Sequence, residues 1–263
     1  MDGRLDDRVV VVTGATGIAR STALGVAARG GSVFVVSLSE DECVALVHEL
    51  EDLSGRHAWF AADLTDERAT EAAFADLDRT MGSPDALVCV AGGSGRRFGD
   101  GSIDTITKQA WDATLDLNLG TTFLAMRETI RRMTTAGAGG AIVVVSSVLA
   151  TSPSPERFRT HAYASAKGAQ LALVRSTAAA YAAEGIRINA IAPGLVATPM
   201  SLRAQSDDEI LAFARAKQPL SDGILDPSAI ADAAVFLVSD EAATITGQVL
   251  AVDGGWSVSE GRP

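Results

Sequence analysis

The sequence predicts an α/β fold of one domain, residues 1–263, in which a doubly wound parallel sheet of about seven strands carries helices on both faces. Short β-branched runs alternate along the chain with longer helical patterns, as expected when crossover helices join parallel strands. Residues 9–12 and 141–145 are uninterrupted apolar runs, which are typical of strands buried on both faces. The chain has 263 residues, of which 47% are hydrophobic, and this is enough for one large core.

Four strands and three helices are predicted in the amino-terminal half. The strands are residues 9–12, 32–37, 58–62 and 85–91. The first helix, residues 18–29, ends where Gly30 and Gly31 interrupt the helical pattern. Ser39 and Thr65 are each predicted to cap the helix that follows, because a hydroxyl can accept a hydrogen bond from a free N–H of the first turn.

Four helices and three strands are predicted in the carboxyl-terminal half. The helices are residues 107–132, 162–183, 207–217 and 227–238, and the strands are residues 141–145, 187–192 and 248–252. Pro227 suits the first turn of the last helix, where no backbone N–H is needed. Residues 195–220 are interpreted either as a flap that closes over a substrate or as a surface helix packed on the core.

A glycine turn follows the first predicted strand. Gly14 and Gly17 join this strand to the first helix, and glycine lets a backbone approach a pyrophosphate closely. The N-terminus of the helix adds free N–H groups and a positive dipole. The turn therefore indicates a Rossmann-type dinucleotide site, and it also fits a tight connection that binds no ligand.

Tyr163 and Lys167 form the most specific chemical pair in the chain. They lie four residues apart in a helical pattern, so both side chains share one face of the helix. A neighbouring ammonium stabilises a phenolate, so we expect it to lower the pKa of Tyr163 from its ordinary value of about 10. Such a phenol could act as a general acid or base.

Several polar and glycine residues are predicted at the same edge of the sheet. Ligands of doubly wound sheets bind at the carboxyl ends of the strands. Six residues lie at or just beyond such ends, namely Gly14, Ser37, Asp63, Gly92, Ser147 and Pro193. Tyr163 and Lys167 begin the helix after the fifth strand and reach the same edge, so these residues are expected to form one site.

Further motifs match a known family. They are Asp63-Leu64, Asn118, Ser147, Tyr163-x-x-x-Lys167, Pro193-Gly194 with Thr198, Ile245-Thr246-Gly247-Gln248 and Val252-Asp253-Gly254-Gly255. With them the chain resembles the compact one-domain branch of the short-chain dehydrogenase/reductase family along nearly its whole length. The resemblance implies an NAD(P)-dependent oxidoreductase that interconverts a carbonyl and a secondary alcohol by hydride transfer.

The resemblance also implies the role of each catalytic residue. Tyr163 exchanges a proton with the substrate oxygen, and Lys167 lowers the tyrosine pKa and holds the nicotinamide ribose. Ser147 hydrogen-bonds the reacting oxygen and is preferred to the neighbouring Ser146 for this role. Asn118 is implied to hold a water in a proton relay towards Lys167. The same residue also fits a purely structural role inside its helix.

A set of cofactor-binding residues is implied in the same way. The set comprises Gly14, Thr16, Gly17, Ile18, Ser37, Leu38, Ser39, Asp63, Leu64, Ala91, Gly92, Tyr163, Lys167, Pro193, Gly194, Val196 and Thr198. Leu38 stands where NAD-dependent members usually carry Asp, so no carboxylate enforces NAD. The hydroxyls of Ser37 and Ser39, with Arg20 within reach, suit the 2′-phosphate of NADP, whereas Glu40 opposes it. We expect NADP or NAD, with a slight preference for NADP.

Three departures from the family pattern are visible. Ala19 stands where the last glycine of the turn is expected, and its methyl group is expected to narrow the approach to the cofactor. Cys89-Val90 replaces two asparagines of the fourth-strand motif, so packing must replace a polar tie between strands. The segment between Ser147 and Tyr163 is a few residues longer than usual and is expected to reshape one wall of the substrate pocket.

Composition excludes several other classes of function. The formal net charge of −11 argues against nucleic acid and anionic membranes as partners. The two cysteines, Cys43 and Cys89, give neither a disulfide framework nor zinc spacing, so no metal is expected. The acidic N-terminus lacks the apolar core of a signal peptide, and no apolar stretch is long enough to cross a bilayer. A cytoplasmic enzyme with a small-molecule substrate fits these observations.

Two alternatives remain beside the leading hypothesis. A reductase of carrier-bound 3-ketoacyl groups would need a basic patch, for which Arg127, Arg131, Arg132 and Arg175 are the candidates. The first three are most simply interpreted as a solvated helix face. A non-catalytic dinucleotide-binding relative is suggested by the altered glycine turn, and the intact catalytic residues argue against it. The family also implies a homodimer or homotetramer, built by the tyrosine-bearing helix and the last strand.

Overall fold

The computed structural model describes residues 4–154 and 156–260, and it contains one parallel sheet with helices on both faces. The strands are β1 (Val9–Thr13), β2 (Ser32–Ser37), β3 (His57–Ala61), β4 (Ala86–Cys89), β5 (Gly140–Val145), β6 (Ile186–Pro193) and β7 (Val249–Val252). Their order across the sheet is β3-β2-β1-β4-β5-β6-β7. The predicted fold class is therefore confirmed, and the order reverses between β1 and β4, where a ligand crevice forms.

Nine α-helices lie in the part of the chain that the structure describes. They are α1 (Ile18–Ala28), α2 (Glu40–Leu50), α3 (Glu67–Thr80), α4 (Lys108–Leu115), α5 (Thr121–Ala136), α6 (His161–Tyr181), α7 (Leu202–Gln205), α8 (Asp208–Lys217) and α9 (Pro227–Val238). None of them is long and apolar enough to span a bilayer, a statement that covers residues 4–154 and 156–260.

Two apolar layers hold the helices against the sheet. Alternate residues of β1, such as Val10 and Val12, face a cluster that includes Val26 of α1 and Val235 of α9. The intervening residues, such as Val11, face a second cluster formed with α3, α5 and α6. Because both faces are covered, the strands are uninterrupted apolar runs.

Two predicted helix boundaries were wrong. Asp66, and not Thr65, caps α3, because its carboxylate accepts from the N–H of Ala69 at 2.7 Å. The helix predicted over residues 107–132 is interrupted by a π-helical turn, Asp116–Gly120, and then continues to Ala136 as α5. The interruption places Asn118 in the π-helical turn, where the regular pattern of backbone hydrogen bonds of the α-helix is broken.

Two of the three arginines of α5, Arg127 and Arg132, are not part of a solvated face, which corrects the interpretation made from the sequence, whereas the side chain of Arg131 is 59% exposed. Arg127 contacts Glu67 of α3, and Arg132 donates to Asp78 of α3 at 2.8–2.9 Å. Both also contact Glu128, whose side chain is only 6% exposed. The cluster therefore joins α3 to α5 through ion pairs within the chain.

Candidate active site

A cavity of about 1090 Å³ runs along the carboxyl ends of the strands. Sixteen of the residues predicted to form the site line it, namely Gly14, Thr16, Ile18, Ser37, Leu38, Asp63, Leu64, Ala91, Gly92, Ser147, Tyr163, Lys167, Pro193, Gly194, Val196 and Thr198. Gly17, Ser39 and Asn118 are not among the lining residues. The cavity spans the point at which the strand order reverses, as the topology requires.

Ser147, Tyr163 and Lys167 meet at the centre of the cavity. The hydroxyl of Ser147, just beyond β5, lies near the phenol of Tyr163 and acts to lower its pKa. Lys167 lies one helical turn further along α6, with its Nζ 5.5 Å from the centre of the Tyr163 ring. This Nζ donates to the carbonyl of Val145 at 2.9 Å, which fixes the buried ammonium beside the ring.

Burial shifts the pKa of Tyr163 and that of Lys167 in the directions that favour their uncharged forms. It raises the pKa of Tyr163 to about 12, while the hydroxyl of Ser147 acts in the opposite direction. It lowers the pKa of Lys167 to about 8. The expectation that the ammonium lowers the tyrosine pKa is therefore wrong for this structure, because desolvation outweighs the attraction of a charge that is itself poorly solvated.

The two neighbouring serines have different surroundings. Ser146 donates to the backbone carbonyl of Lys167 at 2.9 Å and is almost fully buried. Ser147 accepts from the N–H of Leu149 at 3.2 Å and turns its hydroxyl towards Tyr163. Ser146 thus joins β5 to α6, whereas Ser147 faces the cavity.

Asn118 is engaged by its own neighbours. Its amide nitrogen donates to the carbonyls of Gly93 and Thr114, both at 2.9 Å, and its Oδ1 accepts from the N–H of Gly93 at 3.2 Å. Its backbone carbonyl accepts from Gln170 at 3.0 Å. These bonds attach the loop after β4 to the π-helical turn and to α6.

Asp100 is a site residue that the sequence did not reveal. It is almost fully buried, and its two carboxylate oxygens accept from the N–H groups of Ala162 and Tyr163 at 3.0 and 2.9 Å. A carboxylate at a helix N-terminus is favoured by the helix dipole. Asp100 therefore fixes the start of α6, but it lies more than 60 residues from that helix in sequence, so no local pattern marks it.

The glycine turn fits a dinucleotide. Gly14 and Gly17 have φ angles of +94° and +54°, and no side chain caps α1. A Cβ at Gly17 would lie 2.9 Å from Cγ2 of Thr198, so the loop after β6 packs directly on the turn. The uncapped N-terminus of α1 is a suitable place for a pyrophosphate. Ala19 is almost fully buried within the core and also borders the cavity.

Hydrogen bonds still join the residues after β4 to the end of β1, although the fourth-strand motif lacks its two asparagines. Thr13 at the end of β1 accepts from the N–H groups of Val90 and Ala91 at 2.9 and 3.0 Å. Cys89 is buried between β1 and β5, and burial raises the pKa of its thiol to about 12. The Thr13 hydroxyl therefore joins the strand ends, and packing is not the only replacement for the missing amides.

The end of β2 carries neither a carboxylate in place of Leu38, which would select NAD, nor a free arginine, which would select NADP. Leu38 is 68% exposed, and Ser39 caps α2 through the N–H of Glu42 at 3.3 Å. Arg20 is engaged by Glu49, with Nε donating to Oε1 at 3.0 Å. Glu42 lines the cavity beside Leu38 and brings a negative charge to this end.

Comparisons with known proteins agree with the fold and the cavity. A family model described as Enoyl-(Acyl carrier protein) reductase matches residues 12–257. The chain is 35% identical to the cis-4-hydroxycyclohexanecarboxylate dehydrogenase of Sinomonas cyclohexanicum, covering 95% of this chain and 97% of the relative. A short-chain type dehydrogenase/reductase from Mycobacterium ulcerans superposes with a TM-score of 0.90 at 32% identity, covering 97% of this chain and 92% of that chain.

A further similar structure contains a cofactor. Carveol dehydrogenase from Mycobacterium avium, solved in complex with NAD, superposes with a TM-score of 0.89 at 26% identity, covering 97% of this chain and 99% of that chain. This chain belongs to the short-chain dehydrogenase/reductase family. It is an oxidoreductase of that family, whose members act on alcohols and carbonyls with NAD(P).

Proposed function

We propose that this chain interconverts a small-molecule carbonyl and a secondary alcohol, with Tyr163 as general acid and base. The observation that carries the proposal is that Ser147, Tyr163 and Lys167 line one cavity, with Lys167 Nζ 5.5 Å from the centre of the tyrosine ring. NAD(P), when bound, supplies or accepts the hydride. Residues at the glycine turn and in the loop after β6 would hold it, including Ile18, Val196 and Thr198.

The protein controls the proton and the charge on the reacting oxygen. A phenol whose pKa is near 12 stays protonated at neutral pH, so Tyr163 is ready to donate a proton to a carbonyl oxygen. Ser147 donates a hydrogen bond to the same oxygen and stabilises the negative charge that develops there. Lys167 stabilises the phenolate that remains. Asn118 acts by holding the loop at Gly93, and its proposed role in a water relay rests on the family resemblance.

Substitution of the tyrosine tests the proposal. Tyr163→Phe keeps the ring and removes the proton, so we expect turnover to fall by at least about a hundredfold, while cofactor binding persists. The matched control is Tyr181→Phe, because Tyr181 is the chain's other tyrosine and lies at the far end of α6. The assay is hydride transfer over a panel of ketones and secondary alcohols. Parental activity in the Tyr163 variant, or no hydride transfer by the parent, overturns the proposal.

We also propose NADP as the slightly preferred cofactor, with modest discrimination. The hydroxyl of Ser37 lies at the cavity, and no carboxylate stands at Leu38. The ion pair of Arg20 with Glu49 and the charge of Glu42 limit the preference. The measurement is the ratio of kcat/KM for NADP and NAD with one substrate. We expect it to lie within about tenfold, and a thousandfold preference for NAD, about 4 kcal/mol, contradicts the proposal.

A carrier-bound acyl substrate is less well supported. The description of the matching family model names an acyl carrier protein. An acidic carrier needs exposed basic residues, but Arg127 and Arg132 already contact acidic residues of α3 and Glu128. Arg175 stays exposed on α6 as a single charge.

A further inference from the structure

Three loops that carry arginines surround one end of the cavity. Arg96 and Arg97 lie in the 3₁₀ turn Gly95–Phe98 after β4, and Arg203 lies in α7. All three arginines line the cavity that contains Tyr163. The third loop, described for residues 151–154 and 156–160, meets α7 where Arg203 Nη2 donates to the backbone carbonyl of Arg157 at 3.4 Å. Positive charge therefore gathers at this end of the cavity in a chain whose net charge is −11.

Arg96 and Arg203 have no ion pair within residues 4–154 and 156–260, whereas many other arginines of the chain do. Arg20, Arg132 and Arg157, for example, pair with Glu49, Asp78 and Glu209. Asp100 is the acidic residue that acts on Arg96, but both of its oxygens accept backbone N–H groups of α6. The charge of each arginine therefore remains available to a ligand.

The two guanidinium groups also repel each other. Burial is the main cause of the lowered pKa of Arg96, and the neighbouring charge of Arg203 lowers it further. Two cations that line one cavity and form no ion pair are stabilised by an anion that contacts both of them. Asp116 lines the cavity without pairing with either arginine. Glu42 and Asp63 follow β2 and β3, at the other end.

The arginine end of the cavity is connected to the proposed reaction centre. The turn that holds Arg96 leads within four residues to Asp100, which binds the N–H of Tyr163 at 2.9 Å. The glycine turn follows β1, whereas Arg96 lies in the turn after β4. A molecule whose reacting oxygen meets Tyr163 can therefore extend along the turn after β4 towards Arg96 and Arg203.

Part of the wall of the cavity that contains Tyr163, Arg96 and Arg203 is aromatic. Phe158 and Trp256 line the cavity with ring centres 5.8 Å apart in an edge-to-face arrangement. Phe213 supports Trp256 from behind at 5.6 Å. Leu149 and Phe98 add apolar surface. Such a wall suits the hydrocarbon body of a molecule.

We propose that the substrate is an organic carboxylate, whose carboxylate is bound by Arg96 and Arg203 and whose apolar body contacts Phe158 and Trp256. A guanidinium group presents N–H donors in a planar fork that matches a carboxylate. The proposal rests on the proposed function only for the position of the reacting oxygen. Recognition of the anion can be measured without turnover.

Matched ligand pairs test the proposal by binding alone. The probes are the keto acids 4-acetylbenzoate and 6-oxoheptanoate, each compared with its neutral primary amide. Calorimetry measures their binding to the protein saturated with oxidised cofactor, with which a ketone cannot react. We expect at least one acid to bind the parent protein at least tenfold more tightly than its amide, with an advantage that shrinks in high salt.

Variants assign the effect to the two arginines. Arg96→Gln and Arg203→Gln should each weaken binding of the acid at least fivefold and change binding of the amide less than twofold. Arg96→Lys, which keeps the charge but loses the planar fork, should retain only part of the preference. Arg68→Gln on α3 is the matched control, because it removes an exposed arginine outside the cavity and should change neither ligand.

The outcomes separate this proposal from the proposed function. Equal binding of acid and amide in both pairs, absence of binding by both acids, or equal losses of acid and amide in the glutamine variants overturns the carboxylate site. Weaker binding of cofactor in those variants also overturns it, because the arginines would then serve the dinucleotide. A clear preference for acids without any hydride transfer supports the carboxylate site and overturns the proposed function.

Discussion

At the scale of single residues, Tyr163 and Lys167 show what spacing can and cannot predict. Four residues of separation placed both side chains on one helix face, and α6 does bring Lys167 Nζ to 5.5 Å from the tyrosine ring. Spacing carries no information about the desolvation of the two side chains, which depends on how the rest of the folded chain buries them. For this reason the direction of the tyrosine pKa shift was wrong, although the pair itself was found.

The depressed pKa of Lys167 predicts a dependence of stability on pH. Its pKa falls from 10.5 to about 8 on folding. Between these values the unfolded state keeps the proton that the folded state has released, so the free energy of unfolding rises with pH. Below pH 8 both states bind the proton, and the cost of the buried charge is fully present. Over pH 8 to 9.5 the gain is about 1.6 kcal/mol.

The measurement compares the parent with Lys167→Met by denaturant unfolding of the cofactor-free protein. We expect the stability of the parent relative to the variant to rise by about 1.6 kcal/mol over that range. Higher pH is avoided because the raised pKa of Tyr163 acts in the opposite direction above pH 10. Lys108→Met is the control, since Lys108 is exposed on α4. A difference that stays constant with pH contradicts the pKa of Lys167.

At the scale of elements, patterns predicted the strands better than the interrupted helix. Continuous apolar runs marked the buried strands because both faces of the sheet are covered. The π-helical turn Asp116–Gly120 left no sequence signal, since it depends on Asn118 and Gly93 meeting across 25 residues. The ion pairs of Arg127 and Arg132 were missed for the same reason, because their partners lie on α3.

The segment over residues 195–220 is attached at its two ends. Thr198 and Ser201 form a capping box at the first end. Fully buried Gln218 closes the second end, where its side chain donates to the carbonyls of Leu195 and Gly223 at 3.1 and 3.2 Å. Between the two ends, Leu202 is 62% exposed. Because Ile210 and Ala214 of α8 are buried, this arrangement suits a flap whose moving part is α7.

Limited proteolysis tests whether this segment closes over substrate. Trypsin should cut first after Arg203 in the cofactor-free protein, because α7 is short and exposed. Saturating cofactor together with a ketone or alcohol that turns over should slow this cut at least about fivefold. Cleavage after exposed Arg68 on α3 provides the internal reference. If both cuts proceed at the same rates with and without ligands, the segment is an ordinary surface helix.

At the scale of the whole molecule, topology was the most informative prediction. The alternation of strands and helices placed the carboxyl ends of the strands at one edge, and the cavity lies along that edge. Charge inside the cavity could not be predicted in this way. Arg96 and Arg203 come from two loops that are more than 100 residues apart, and only the folded chain brings them together.

The exposed edge of the sheet predicts assembly of several chains. Within residues 4–154 and 156–260, β7 pairs only with β6, so its other side presents unpaired backbone groups, and Leu250 on this strand is 39% exposed. The family resemblance implies that this strand and α6 form the contacts of a homotetramer. Light scattering after size-exclusion chromatography should therefore give the mass of four chains of 27.1 kDa.

A charged residue at this edge tests the assignment of the contact. Leu250→Lys places like charges opposite each other across a symmetric contact, so we expect the tetramer to fall to a dimer held by α6. The control is Val44→Lys, which makes a similar change at an exposed position of α2, far along the sheet from β7. The variant at Val44 should keep the parental mass. A parent protein with the mass of one chain, or a tetramer that persists in Leu250→Lys, contradicts the predicted contact, because β7 would then not be covered by another copy.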